Sequence, residues 1–195
     1  AIGKLNKTQN SLTSSLEKIS SGLRVNRAAD DAAGLSVASR MASDNTSLSQ
    51  AMRNTNDGIS MIQTAEGGLN EISNIIIRLR ELSVQSATDT IGDSERGFSD
   101  IEFQNLKEEV DRISRSAEFN GIKILDGTSG LLEFQIGINN DPTLDRLRYD
   151  GTMADSTLPS LGLAAENIST KEGAQVSLKK LDNALVQVNG VRANL

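Results

Sequence analysis

The chain has 195 residues, with 26 acidic and 20 basic side chains, a formal charge of −6 and neither histidine nor cysteine. This excludes Ser/His/Asp triads, Cys/His dyads, disulfides and the usual zinc ligands. Net acidity without a basic block opposes nucleic-acid and anionic-membrane partners, and no apolar run approaches the roughly 20 residues needed to span a bilayer. Trp is absent and Tyr, Phe and Pro number one, four and two, so bulky anchors for a thick globular core are scarce and long stretches are free to stay helical.

In chain order, Leu5, Leu12, Leu16, Ile19 and Leu23 stand three, four or seven apart in a background of Ser, Thr, Asn and Lys. This predicts an amphipathic helix with a narrow apolar stripe, broken near Ser21-Gly22. A short irregular piece, Arg24 to Asp31, follows. The Asp30-Asp31 pair reads as acidic residues at a helix start, favoured by the positive end of the dipole, rather than as catalytic or metal-binding carboxylates.

From about residue 33 to about residue 88 a heptad seam runs through Leu48, Ala51, Thr55, Gly58, Ile62, Ala65, Leu69, Ile72, Ile76 and Leu79. It predicts a helix about 80 Å long that needs partner helices to cover it. Gly58, Gly67 and Gly68 mark either close packing or a slight bend. A turn at Thr88 to Ser94 offers Asp93 or Ser94 as an N-cap. Phe103, Leu106, Val110, Ile113 and Ala117 then predict an antiparallel helix over about 94–118.

After Asn120-Gly121 the period changes. Ile122, Ile124, Phe134, Ile136 and Ile138 have strand spacing about a turn at Asp126-Gly127 and Gly130, which predicts a β-hairpin over about 122–138. Short strands or loops follow to 169, within a β-hairpin region of about 122–169. Asp141, Asp145 and Asp150 miss the calcium-loop spacing and read as solvated turn residues. Ala174, Leu178, Leu181, Leu185, Val188 and Leu195 predict a last helix over about 171–195. The expected fold is mainly α: an elongated antiparallel helical bundle, a coiled-coil rod, with a small β-hairpin region at one end.

Four ordered stretches carry a family resemblance. They are Leu16-Glu17-Lys18-Ile19-Ser20-Ser21-Gly22-Leu23-Arg24-Val25-Asn26 with Ala29-Asp30-Asp31-Ala32-Ala33-Gly34-Leu35; Arg53-Asn54-Thr55-Asn56-Asp57-Gly58-Ile59-Ser60 with Gln63-Thr64-Ala65-Glu66-Gly67; Arg80-Glu81-Leu82-Ser83-Val84-Gln85; and Glu118-Phe119-Asn120-Gly121. Together they resemble bacterial flagellin, of a minimal type without large outer domains. The hook-filament junction protein and a flagellin-like surface adhesin are the alternatives.

The resemblance implies that residues 1–32 are the end of the inner D0 helix and its spoke, and that 33–195 form the D1 rod. It implies a non-enzymatic structural subunit of the flagellar filament, serving swimming motility. Such a subunit is extracellular, on the flagellum, and is secreted by the flagellar export apparatus. The implied partners are other flagellin subunits, an export chaperone, the cap protein and Toll-like receptor 5, with no cofactor, metal, nucleic acid or membrane. No signal-peptide h-region follows Ala1, and the ends at Ala1 and Leu195 read as those of a trimmed fragment, expected to stay monomeric or weakly associated.

Carried over position by position, Arg78, Leu82, Gln85 and Glu102 resemble the residues of a receptor and inter-subunit face. The spacing i, i+4, i+7 puts a guanidinium, an apolar anchor and an amide on one helix face, a mixture suited to an interface hot spot. The family's frequent Gln before the arginine is Ile77 here, and a common Ala is Ser83.

Overall fold

The computed structural model describes residues 2–195. The chain divides into two compact units, the first ending at Met52 and the second running Arg53–Leu195.

In the first unit, helix α1 (Ile2–Ser21) buries none of its residues. It stops at Gly22, whose φ of +70° is the left-handed geometry that ends helices, while its N–H donates to Lys18 O at 3.0 Å. The acidic pair then organises the connection. Asp30 Oδ2 accepts the Asn26 and Arg27 N–H groups at 3.3 and 3.2 Å, and Lys18 Nζ lies 3.4 Å from its other oxygen. These backbone donors, helped by Lys18, hold the Asp30 carboxyl below the usual carboxylate range. Asp31 Oδ1 accepts Gly34 N–H at 2.8 Å, capping the start of α2 (Ala32–Ser86).

The second unit contains the rest of α2 with α3 (Asp93–Ser116) and α4 (Lys171–Ala193). Ion pairs and a hydrogen bond define their directions. Arg78 meets Glu102, and Arg96 reaches back to Ser86 O, so α3 is antiparallel to α2. Glu66, Arg80 and Asp89 meet Arg192, Asp182 and Lys171, so α4 is also antiparallel to α2. Leu69, Ile72, Ile76 and Leu79 of α2 are fully buried with Phe103 and Val110 of α3 and Ala174, Leu181 and Val188 of α4.

Some expected details shift. Met61 is fully buried where Ile62 was expected, and Ile62 is half-buried. In α4, Ser177 and Ala184 are buried while Leu178 and Leu185 flank the seam. A helix wedged between other elements buries a wider stripe than a two-partner seam, with small residues at the closest approach. Of the glycines, a Cβ at position 58 would lie 3.5 Å from the Phe134 ring and one at position 68 would lie 2.8 Å from a Leu125 methyl, whereas Gly67 has open space. Close packing therefore explains two of the three.

The cap of α3 also differs. Gly92 is the N-cap and makes no side-chain cap bond. Asp93 is the first helical residue and pairs with Arg96 at 2.8 Å. Arg96, buried, donates to Ser86 O and Thr88 O at 3.0 and 2.7 Å, satisfying carbonyls that the end of α2 leaves open.

The hairpin expected over 122–138 does not form; the strand-like residues are divided between two antiparallel pairs. β1 (Glu118–Phe119) pairs with β2 (Ile122–Lys123) about Asn120-Gly121, and β3 (Leu131–Gln135) pairs with β4 (Arg146–Asp150). Asn120 and Gly121 have φ of +50° and +79°, the geometry of a two-residue turn for which Asn-Gly is the preferred sequence. That turn claims Ile122 locally, leaving β3 to pair forward. In β3–β4 the register sets Leu132 opposite Tyr149 and Phe134 opposite Leu147, with Glu133 opposite Arg148 on the other face. Tyr149 is buried, and its hydroxyl donates to Ile124 O.

Asp145 is also not a solvated turn residue. It is buried against Gly137 and accepts Asp141 N–H at 2.9 Å. Asp150 caps its own turn by accepting Thr152 N–H at 3.0 Å.

Residues 151–169 carry no strand. They run back along the bundle, from Ser156 N–H on Leu125 O to Ile168 N–H on Asp100 Oδ1, and bury Ala154, Leu161, Leu163 and Ile168 in the core. Lys107, only 4% exposed, pins this segment by donating to Glu166 O, Ala164 O and Gln104 Oε1 at 2.6, 3.1 and 3.0 Å. Glu166 in turn receives Lys180 Nζ at 2.5 Å and the Ser177 hydroxyl at 3.2 Å.

Candidate protein-interaction face

The face is built where α2 and α3 run side by side. Arg78 Nε and Nη2 donate to Glu102 Oε1 at 3.1 and 2.8 Å, and Nη1 donates to Glu81 at 2.9 Å. Two carboxylates on one guanidinium raise its pKa, through the hydrogen bonds to Glu81 and then Glu102. The group is about half exposed, so the pair fixes the orientation of the side chains more than it stabilises the fold. Gln85 is exposed two turns further along α2.

Leu82 lies apart from these three. It is 2% exposed and belongs to the core cluster. On the helical wheel it sits between the solvent side, marked by Arg78 and Gln85, and the seam centred on Leu79 and Ile76. The rotation of 40° from Arg78 is enough to place it beneath the α2–α3 junction. The structure thus brings Arg78 and Glu102 together at the surface with Gln85 nearby, and places Leu82 as packing underneath. Ser83 is buried beside it and donates to Leu79 O at 2.8 Å, a way for a hydroxyl to occupy a small buried position without an unpaired donor.

Sequence reasoning missed Phe98. It is 74% exposed, one turn before Glu102 on α3, and Ile101 beside it is 60% exposed. Its position off the Phe103–Val110 seam was the available signal. Ile77 and Val84 add exposed apolar surface on α2, and Arg80 bridges to Asp182 of α4 at 2.7 Å. A face that mixes oriented charges with exposed apolar side chains can bind protein. Among the described residues no group of three or more potential ligands could hold a metal ion, and no helix is long and apolar enough to cross a membrane.

Comparison with known proteins follows the same direction. Residues 2–130 match the family described as the bacterial flagellin N-terminal helical region. A flagellin of Halalkalibacterium halodurans is 41% identical over 180 residues, which cover 92% of this chain and 65% of the relative. The flagellar filament 30.7 kDa core protein of Treponema maltophilum is 39% identical over 192 residues, covering 92% and 67% respectively. Phase 1 flagellin of Salmonella naestved is 44% identical over 174 residues, covering 88% of this chain and 33% of its own length. The chain therefore spans about two-thirds of the first two relatives and a third of the third. Among solved structures, the crystal structure of Bacillus cereus flagellin superimposes with a TM-score of 0.64 at 31% identity, covering 73% of this chain and 80% of that one. FliC from Burkholderia pseudomallei, at 19% identity, shares the fold, with a TM-score of 0.61 over 70% of this chain and 96% of its own.

Proposed function

The chain belongs to the bacterial flagellin family, and from that premise we propose that it is a structural, non-enzymatic subunit of an extracellular flagellar filament. One observation carries this reading. Helix α1 has Ile2, Leu5, Leu12, Leu16 and Ile19 between 57 and 78% exposed and buries nothing, while the second unit adds Ile77, Val84, Phe98, Ile101, Val176 and Val186 at its surface. So many large apolar side chains in water suit a protein that completes its burial by joining other copies. An export chaperone that covers these stripes before secretion, and a cap protein that receives the subunit at the growing tip, are the other partners of this reading. The test is a strain lacking the protein, with its flagella imaged and its swimming measured. Flagella of unchanged length and unchanged motility would refute the proposal.

A second reading, compatible with the first, is that the α2–α3 face is a ligand for Toll-like receptor 5. The observation favouring it is the exposed Arg78–Glu102 pair, held ready on the surface near Gln85, with Leu82 supporting the face from below. Arg78→Ala should lower receptor signalling in a reporter cell while leaving thermal stability nearly unchanged. Signalling equal to that of the parent would refute this reading.

A further inference from the structure

The chain has two Asn-Gly dipeptides in opposite structural settings. Asn189-Gly190 lies inside α4 (Lys171–Ala193), where the glycine N–H donates into the helical ladder and the backbone is held on both sides. Asn120-Gly121 is the exposed tip of the β1–β2 hairpin, with both residues at positive φ and open space around the position of a Gly121 Cβ. In such a turn the ladder bonds belong to the flanking pair, here Phe119 and Ile122, so the Gly121 N–H stands outside the ladder. The strands are two residues each, and hairpins this short open locally at little free-energy cost.

We propose that Asn120 is a site of spontaneous deamidation, an age-dependent covalent modification, while Asn189 is protected from it. Base removes the Gly121 amide proton, and the nitrogen forms a bond to Asn120 Cγ. The bond from Cγ to the side-chain nitrogen breaks, water returns the proton, and ammonia leaves a five-membered cyclic imide. A second water adds to one of the two imide carbonyls and reopens the ring. The product is an aspartate or, by the other opening, an isoaspartate whose backbone is one methylene longer. Glycine is the residue that lets this happen quickly, since no side chain hinders the attacking nitrogen.

The consequences are local and of fixed sign. Asn120 lines a surface groove of about 460 Å³ whose wall includes Met61, Phe119 and Phe134 and whose acids are Asp57 and Glu133. Deamidation adds a third carboxylate there, and the isoaspartate form also breaks the Phe119–Ile122 register that holds Phe119 against the core.

The experiment incubates the folded full chain in neutral and mildly alkaline buffer made with heavy-oxygen water, then maps peptides by mass and measures released ammonia. Asn120 should take up the heavy oxygen first, faster at higher pH, with isoaspartate among the products and Asn189 unchanged. Equal conversion at the two sites in the folded chain would overturn the proposal. So would an intact Asn120 over a period in which the same chain, unfolded in denaturant, has converted. Asn120→Asp should abolish the early ammonia release, and release that persists unchanged in that variant would also overturn it.

Discussion

The single tyrosine makes one prediction unusually clean to measure. Tyr149 is 5% exposed, and its hydroxyl donates to Ile124 O, with Asp150 next to it in sequence. Burial, and secondarily the Asp150 charge, push its pKa from 10.0 up to about 12. The unfolded chain therefore releases this proton before the folded chain does. The stabilisation is fully present below pH 10 and is lost as the pH rises toward 12. A gap of this size corresponds to about 2–3 kcal/mol. With no tryptophan in the chain, tyrosinate absorbance reports this one group, and circular dichroism shows in parallel whether the helices persist. The expected result is little ionisation at pH 10 and a rise that accompanies unfolding. Reversible ionisation near the ordinary value in a chain whose helices are intact would refute the reasoning. Tyr149→Phe should remove the absorbance change and cost about 1–2 kcal/mol, because Ile124 O loses its buried donor.

Lys107→Met keeps the aliphatic stem but removes the donors from Glu166 O, Ala164 O and Gln104. Bonds to a charged donor, less the cost of burying it, suggest a loss of about 2–4 kcal/mol in urea unfolding. Burial also lowers the Lys107 pKa, against the opposing pull of Asp100 and Glu166. The pH-linked part of its effect therefore runs opposite to that of Tyr149: it is present above the unfolded value of 10.5 and is lost as the pH falls through the folded value, so the variant's deficit, already present near neutral pH, should widen as the pH rises. Gly67→Ala, with open space around it, should stabilise α2 by about 0.5–1 kcal/mol, whereas Gly68→Ala, whose Cβ would sit 2.8 Å from a Leu125 methyl, should gain less or lose. Thermal melts of the two variants check the sign. Thr170→Ala removes the side chain that accepts Gly173 N–H at 3.0 Å at the start of α4 and should cost about 1 kcal/mol, read by the same melts.

The helices were legible because heptad spacing writes a buried stripe into the chain. The seam through Leu69, Ile72, Ile76 and Leu79 reappears in the structure as fully buried residues. Strand pairing was less legible. Alternation shows that Phe134 can lie on a sheet face but does not identify its partner, and the Asn-Gly turn had already bound Ile122 to Phe119. Leu161, Leu163 and Ile168 follow no period, because the segment carrying them is irregular, so their burial had no signature at all. Lys107 falls on the α3 seam where an apolar residue would be expected. Its acceptors, Ala164 O and Glu166 O, lie 57 and 59 residues away, beyond what local pattern can connect. At the candidate face, spacing placed Arg78, Leu82 and Gln85 on one side of the helix, but the 40° between Arg78 and Leu82 separates solvent from core once α3 is docked.

That separation decides how substitutions on this face must be read. Leu82→Ala removes a side chain 2% exposed in the core cluster, and such truncations cost about 2–5 kcal/mol. Arg78→Ala removes a half-exposed ion pair, of a kind that contributes little to stability because solvent screens it. If the face binds a protein partner through Arg78, Gln85 and Glu102, Arg78→Ala should weaken binding with almost no change in melting temperature. Leu82→Ala should instead lower both together. Leu82→Met, which nearly conserves volume, should restore stability and binding in parallel. Binding lost in Leu82→Met while the melting temperature recovers would mean that Leu82 itself meets the partner, and would require α2 and α3 to part at this point in the complex.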